Sequence, residues 1–196
     1  IMSTGMATLD EIKNAFNVIK KYSSRKNFAL LKCTSSYPAP YQDSNLRTIV
    51  DMKKKFKCEI GLSDHTIGTL SAVAAITLGS TIIEKHICLN KKTGIDAFFS
   101  STPQEMKKLV NESKLCFKSK GKIFYGPSKS EKKSIINRRS LFALRNIKKN
   151  EKFSWENIIS LRPVIGIDAK FYKRVINKTS CKNIEKNKAI KWDMIK

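Results

Sequence analysis

The sequence predicts an α/β fold: a parallel sheet covered by helices, followed by a small, mostly β domain. Three observations carry this. Four short apolar runs alternate with amphipathic helical patterns over the first two thirds of the chain. A Lys-, Ser- and Gly-rich stretch then interrupts the pattern at 118–138, and beyond it the segments become short and strand-like. Strands that are apolar throughout and alternate with helices belong to parallel sheets, whose faces are both covered.

The first strand is Ile1-Met2 leading into Ser3-Thr4-Gly5. Thr8-x-x-Glu11 then forms a capping box, and Leu9, Ile12, Ala15, Phe16 and Ile19 mark one helical face. The second strand is Phe28 to Cys33, followed by a helix that Ser44 caps and whose apolar face is Leu46, Ile49, Val50 and Phe56. The third strand is Cys58 to Leu62. An Ala-rich helix from about Thr69 to Leu78 follows, ending at Gly79. Thr81-Ile82-Ile83 is the fourth strand. Thr102-Pro103-Gln104-Glu105 opens the last helix with an N-cap, proline at N1 and glutamate at N3. The expected domains are 1–120, a linker at 121–137 around Gly126-Pro127, and 138–196. In the last, Ser140 to Leu144, Ile158 to Leu161 and Lys188 to Ile190 read as strands and Ser154-Trp155-Glu156-Asn157 as a helical turn.

With 196 residues, 41% of them hydrophobic, the chain has material for a core. No run approaches the roughly 18 apolar residues of a membrane span. The N-terminus lacks the basic-then-apolar order of a secretion signal, so a cytoplasmic location and no membrane partner are expected. Five cysteines stand far apart with no C-x-x-C pair, which gives no disulfide or zinc signature. The net charge of +23 belongs to a class that includes nucleic-acid binders. Both parts share it: residues 1–121 hold 19 Lys+Arg against 10 Asp+Glu, and residues 122–196 hold 20 against 6. Arg supplies only 7 of the 39 basic residues, in a chain also rich in Ile and Asn, as AT-rich coding sequence would give. No helix-turn-helix or aromatic RNA-binding motif accompanies the charge, and no nucleic-acid partner is expected.

The two histidines stand at the C-terminal ends of expected strands, His65 after Gly61-Leu62-Ser63-Asp64 and His86 after Ile83-Glu84-Lys85. Ligands of parallel α/β folds bind at these ends. Two imidazoles on adjacent strands can hold a divalent ion and leave coordination positions open; each can equally serve as a structural hydrogen-bonding group. Strand alternation turns Glu84 to the side of His86 and Ser63 to the side of His65, with Asp64 facing away.

Leu31-Lys32-Cys33-Thr34-Ser35-Ser36-Tyr37-Pro38-Ala39-Pro40-Tyr41 with Asn45-Leu46, then Gly61-Leu62-Ser63-Asp64-His65-Thr66-Ile67-Gly68, then Ile83-Glu84-Lys85-His86, resembles the second half of the sialic acid synthase family. Ile1-Met2-Ser3-Thr4-Gly5-Met6 fits its fifth barrel strand. Arg138-Arg139-Ser140-Leu141, Asn146-Ile147-Lys148-Lys149 and Leu161-Arg162-Pro163 resemble its antifreeze-like (SAF, β-clip) domain. The resemblance implies strands five to eight of a TIM (β/α)8 barrel followed by that domain. It also implies condensation of phosphoenolpyruvate with an acetamido sugar: C3 attacks the sugar aldehyde, water adds at C2, and phosphate leaves by C–O cleavage. A divalent metal, Mn2+ or Mg2+, is expected on His65 and His86, with Glu84 near the metal-bound water or the reacting carbonyl. Ser3, Ser35, Tyr37, Ser63 and Asp96 fall where the family lines its substrate pocket, although Tyr37 can also simply pack before the Pro38-Ala39-Pro40 turn. Arg162 matches an arginine that contacts the sugar's acyl-amino group from the small domain of a partner subunit, which implies a domain-swapped homodimer.

Gly94-Ile95-Asp96-Ala97-Phe98-Phe99-Ser100 resembles the pseudaminic acid synthase branch, where sialic acid synthases place His and a small residue after the Asp. Arg162-Pro163 through Gly166-Ile167 and Lys170-Phe171-Tyr172 point the same way. The expected substrate is therefore a 2,4-diacetamido-2,4,6-trideoxy hexose. An apolar lining suits its methyl group, because a buried polar group left unpaired costs about 1–3 kcal/mol. N-acetylneuraminate or legionaminate synthase is the alternative enzyme. The family's first four strands, with an acid/base glutamate and phosphate-binding lysines, are not in this sequence. The chain is thus expected to be part of a fuller enzyme, or a non-catalytic remnant that binds carbohydrate or a subunit.

Overall fold

The computed structural model describes residues 1–22 and 28–196, which form two compact units, Ile1–Lys122 and Ile123–Lys196. In the first unit β1 (Met2–Ser3), β2 (Ala29–Cys33), β3 (Glu59–Asp64) and β4 (Ile82–Lys85) form a parallel sheet in the order β1-β2-β3-β4. The helices α1 (Leu9–Tyr22), α2 (Arg47–Phe56), α3 (Leu70–Thr77) and α4 (Pro103–Lys120) each follow one strand. Phe16 of α1, Ile49, Met52 and Phe56 of α2 and Ala75 of α3 share one core with Leu30, Ile60 and Leu62 of the strands. Three helices therefore cover the same face of the sheet. Strand order equal to chain order, without a reversal, is the winding that such one-sided coverage requires.

Period-two alternation gives the opposite face a second set of residues. The register aligns Ser3, Leu31, Gly61 and Ile82 in one row, and Cys33, Ser63 and Glu84 in the next row toward the C-terminal ends. At Gly61 the flanking strands leave no room for a side chain: a Cβ there would lie 2.4 Å from Leu31 Cδ2 and 2.5 Å from the Ile82 carbonyl.

Local signals explain most boundaries. Glu11 Oε2 accepts from the Thr8 backbone N–H at 2.7 Å, and Thr8 Oγ1 accepts from the Glu11 N–H at 3.4 Å. Thr102 and Glu105 make the same reciprocal pair ahead of α4. Leu9 departs from the expected face: it is exposed, while Ile12, Ala15, Phe16 and Ile19 turn inward. Ser44 does not cap α2. It closes a 3₁₀ turn, Tyr41–Ser44, after which Asn45 takes a left-handed φ of 42° and Leu46 occupies the N-cap. That intervening residue carries the Ser44 hydroxyl away from the first turn of α2, and the Ser44 Oγ is buried without a hydrogen-bond partner among the described residues.

The second unit pairs β5 (Ser140–Ala143) antiparallel with β6 (Ile158–Leu161) over a core of Leu141, Ile147, Phe153, Ile158, Ile167, Val175, Ile184 and Ile190. A short helix, α5 (Tyr172–Val175), packs Val175 into the same core. The expected strand at Lys188 to Ile190 is instead a single antiparallel bridge, Phe142↔Ala189. Its backbone serves two neighbours: the Ile190 N–H donates to Leu141 at 2.8 Å and its carbonyl accepts from Ile167 at 2.8 Å. The turn before β6 is held by buried Asn157, whose Oδ1 accepts from the Ser154 N–H at 2.8 Å and whose Nδ2 donates to the Lys152 carbonyl at 2.9 Å.

Gly61→Ala is expected to destabilise the first unit by about 1–3 kcal/mol, because the added methyl overpacks Leu31 and Ile82. Urea unfolding followed by circular dichroism measures it.

Candidate active site

His65 and His86 sit where the register places them, just beyond the C-terminal ends of β3 and β4 and on the face away from the helices. Their ring centroids are 5.2 Å apart. His65 is buried, and its Nδ1 lies 2.8 Å from the Thr34 carbonyl. A carbonyl only accepts, so Nδ1 carries the proton and Nε2 is left with the lone pair a metal ion needs. His86 is half-buried, with Nδ1 3.7 Å from Asp96 Oδ2.

One row below, the Ser63 hydroxyl donates to Glu84 Oε1 at 2.7 Å. Ser63 is buried and Glu84 exposed, so the bond fixes a carboxylate that would otherwise sample several rotamers. The Tyr37 ring lies 4.3 Å from His65, 5.9 Å from His86 and 5.7 Å from Phe99 between centroids. Phe99, itself buried, lies 5.0 Å from His86. Together these rings form an aromatic wall around both imidazoles.

Of the expected site residues, Tyr37 and Asp96 meet the histidines directly, and Ser63 and Glu84 bond each other one row below on the same face. Ser35 stands at the rim of β2, its Oγ 3.9 Å from Cys33 Sγ, which in turn is 3.9 Å from His65 Nδ1. Ser3 shares the face but lies in the row of Leu31, one row further from the strand ends than Ser63 and Glu84. Arg162 belongs to the second unit. There it is exposed and follows β6, in a loop held by buried Ser140, whose hydroxyl donates to the Pro163 carbonyl at 2.8 Å.

The sequence reading missed three contributors. The Thr34 carbonyl that orients His65 is a backbone group and has no side-chain signal. Lys32 is buried on the helix side of β2 and donates to the Cys33 carbonyl at 3.0 Å and to Thr34 Oγ1 at 2.6 Å; burial pushes its ammonium below the ordinary lysine range. Lys85 pairs with Asp64, and strand alternation, which turned Asp64 away from His65, was the available hint.

Among the described residues, no group of three or more His, Cys, Asp and Glu side chains converges as a metal cage. The donor set is the two imidazoles, with the Asp96 carboxylate beside one of them. Such a set fits a divalent ion that keeps several positions for water or substrate oxygen, rather than a closed structural site.

Residues 1–125 match the NeuB family and residues 138–196 the SAF domain. The chain is 42% identical to the N,N'-diacetyllegionaminic acid synthase of Campylobacter jejuni, over 97% of this chain and 58% of that protein. It is 40% identical to a pseudaminic acid synthase of Campylobacter jejuni, over 97% and 56%. Among solved structures, an N-acetylneuraminic acid synthetase from Leptospira borgpetersenii in complex with citrate superposes with a TM-score of 0.62 at 38% identity, covering 68% of this chain and 47% of that one. The chain thus spans between half and three fifths of the length of the synthases it matches along its whole length.

Phe99→Ala is expected to cost about 3 kcal/mol, as for other buried aromatic truncations. Phe98→Ala, at an exposed ring, should cost about 0.5 kcal/mol or less. Chemical denaturation of the two variants checks the contrast. The match over both units, in the order that the motifs require, makes this chain a member of the NeuB family with a SAF domain at its C-terminal end.

Proposed function

We propose that this chain is the C-terminal part of a pseudaminic acid synthase-type enzyme, which condenses phosphoenolpyruvate with a 2,4-diacetamido-2,4,6-trideoxy hexose to give a nonulosonic acid and phosphate. The observation that carries the reading is the side-by-side placement of His65 and His86 next to the Ser63–Glu84 pair, on one face and at one end of the sheet. On this reading the sheet is the second half of a (β/α)8 barrel whose first four strands complete the site.

A divalent ion, Mn2+ or Mg2+, held by His65 and His86 would polarise the sugar aldehyde as C3 of phosphoenolpyruvate attacks it. The chain's own groups do the rest. Thr34 fixes the His65 tautomer, and Ser63 holds Glu84 where it accepts a hydrogen bond from the water that adds at C2. Ser3 and Ser35 offer hydroxyl donors to phosphate or carboxylate oxygens, and Asp96 accepts from sugar hydroxyls. Tyr37 and Phe98 offer apolar surface to a deoxy carbon, with buried Phe99 packed behind them. Arg162 supplies the contact to the acyl-amino group across a homodimer.

A second reading has specific support. The legionaminic acid synthase of Campylobacter jejuni is as similar to this chain as the pseudaminic enzyme, 42% against 40% identical. The Asp96-Ala97-Phe98-Phe99-Ser100 segment favours the pseudaminic substrate.

Phosphate release from phosphoenolpyruvate with Mn2+ tests both. It is measured for the chain alone and for the chain joined to the N-terminal half of a pseudaminic acid synthase, against the pseudaminic and legionaminic precursors and N-acetylmannosamine. Release by the joined protein alone, with the pseudaminic precursor at least tenfold ahead, is the expected outcome. No release from a folded joined protein with any of the three sugars contradicts the enzyme reading.

A further inference from the structure

The residues that immediately precede the two histidines are bonded to each other. Lys85 Nζ lies 2.8 Å from Asp64 Oδ2, with the two side chains 3% and 1% exposed. The other oxygen, Asp64 Oδ1, reaches past His65 and accepts from the Thr66 backbone N–H at 3.0 Å and from Thr66 Oγ1 at 2.8 Å. Lys85 Nζ also donates to the Thr66 carbonyl at 2.6 Å. One ammonium and one carboxylate thus bracket His65 on the helix side of the sheet, and the ammonium belongs to the neighbour of His86. On the other side, the His65 ring bonds Thr34, and the His65 carbonyl accepts from the Ala39 N–H at 2.9 Å.

Stability is a weak reason for such a pair, because removing two charges from water offsets most of their attraction and an apolar pair of similar volume does as well or better. What an apolar pair cannot supply is direction. Asp64 and Lys85 are the last register pair of β3 and β4, so the bond ties the two strands together at the point where their own ladder ends, while beyond it His65 bonds through its carbonyl to Ala39 and His86 through its carbonyl to Ser101.

We propose that Asp64 and Lys85 are positioning residues that set His65 relative to His86 for binding one divalent cation. The inference rests on the metal-binding reading above. It goes further by assigning the geometry of that site to two residues on the opposite face of the sheet.

The test uses the full chain and the variant Asp64→Asn/Lys85→Met, which removes both charges and the cross-strand bond but keeps an acceptor for Thr66. Two signals are read: Mn2+ affinity, from the electron paramagnetic resonance of free Mn2+, and hydrogen exchange of the His65 Nδ1 proton by NMR without metal. The folded variant is expected to bind Mn2+ about tenfold more weakly, the scale of outer-shell effects at metal sites, and to lose protection of the His65 proton. Affinity within twofold of the parent and an equally protected proton overturn the proposal. If the parent chain itself binds no Mn2+, the metal reading fails, and the proton alone decides whether the pair positions His65. Should the double variant not fold, Thr66→Val removes one bond to the carboxylate and leaves both charges. A His65 proton exchanging faster in that variant supports the proposal, and an unchanged one overturns it.

Discussion

The parallel pairing of β3 with β4 is the constraint on which the site depends. It sets Ser63 opposite Glu84 and Asp64 opposite Lys85, and because side chains alternate, the two pairs project to opposite faces. The histidines that follow continue the alternation. A slip of one residue would send His86 to the helix side and bring Lys85 beside His65, so chemistry and core would fail together. The core enforces the register, since Ile60, Leu62 and Ile83 must all meet the helix layer.

Around that pairing the polar bonds divide the work. On the open face Ser63 holds Glu84 and Thr34 holds His65, while Tyr37 and Phe99 close around the rings. On the helix face Asp64, Lys85 and Thr66 form a polar cluster in which both oxygens of the carboxylate are engaged, Oδ1 by two donors of Thr66 and Oδ2 by Lys85. A buried charge is tolerable only in such company. The site is thus built from both faces of one sheet, whose two functions are separated by a single residue along each strand.

Much of this was legible in the sequence because it is written locally. Capping boxes at Thr8 and Thr102 mark helix starts, apolar runs mark strands, and the quoted motifs around His65 and His86 carry the family. What was not legible depends on pairing across the chain or on single dihedral angles. Ser44 has the right chemistry for a cap, but the left-handed Asn45 displaces it. Lys188 to Ile190 has strand-like character, yet its backbone bonds are divided between β5 and Ile167. The partner of Asp64 needed the strand register, which alternation within one strand does not supply.

On the proposed function, one ion is held by two imidazoles that this register brings together. Pulsed electron paramagnetic resonance of the Mn2+-loaded protein measures it, because nitrogen ligands leave resolvable 14N couplings. The account predicts couplings from two imidazole nitrogens on a single bound Mn2+, reduced to one in either His65→Ala or His86→Ala. Bound Mn2+ without imidazole coupling, or a coupling that survives both substitutions together, would contradict it.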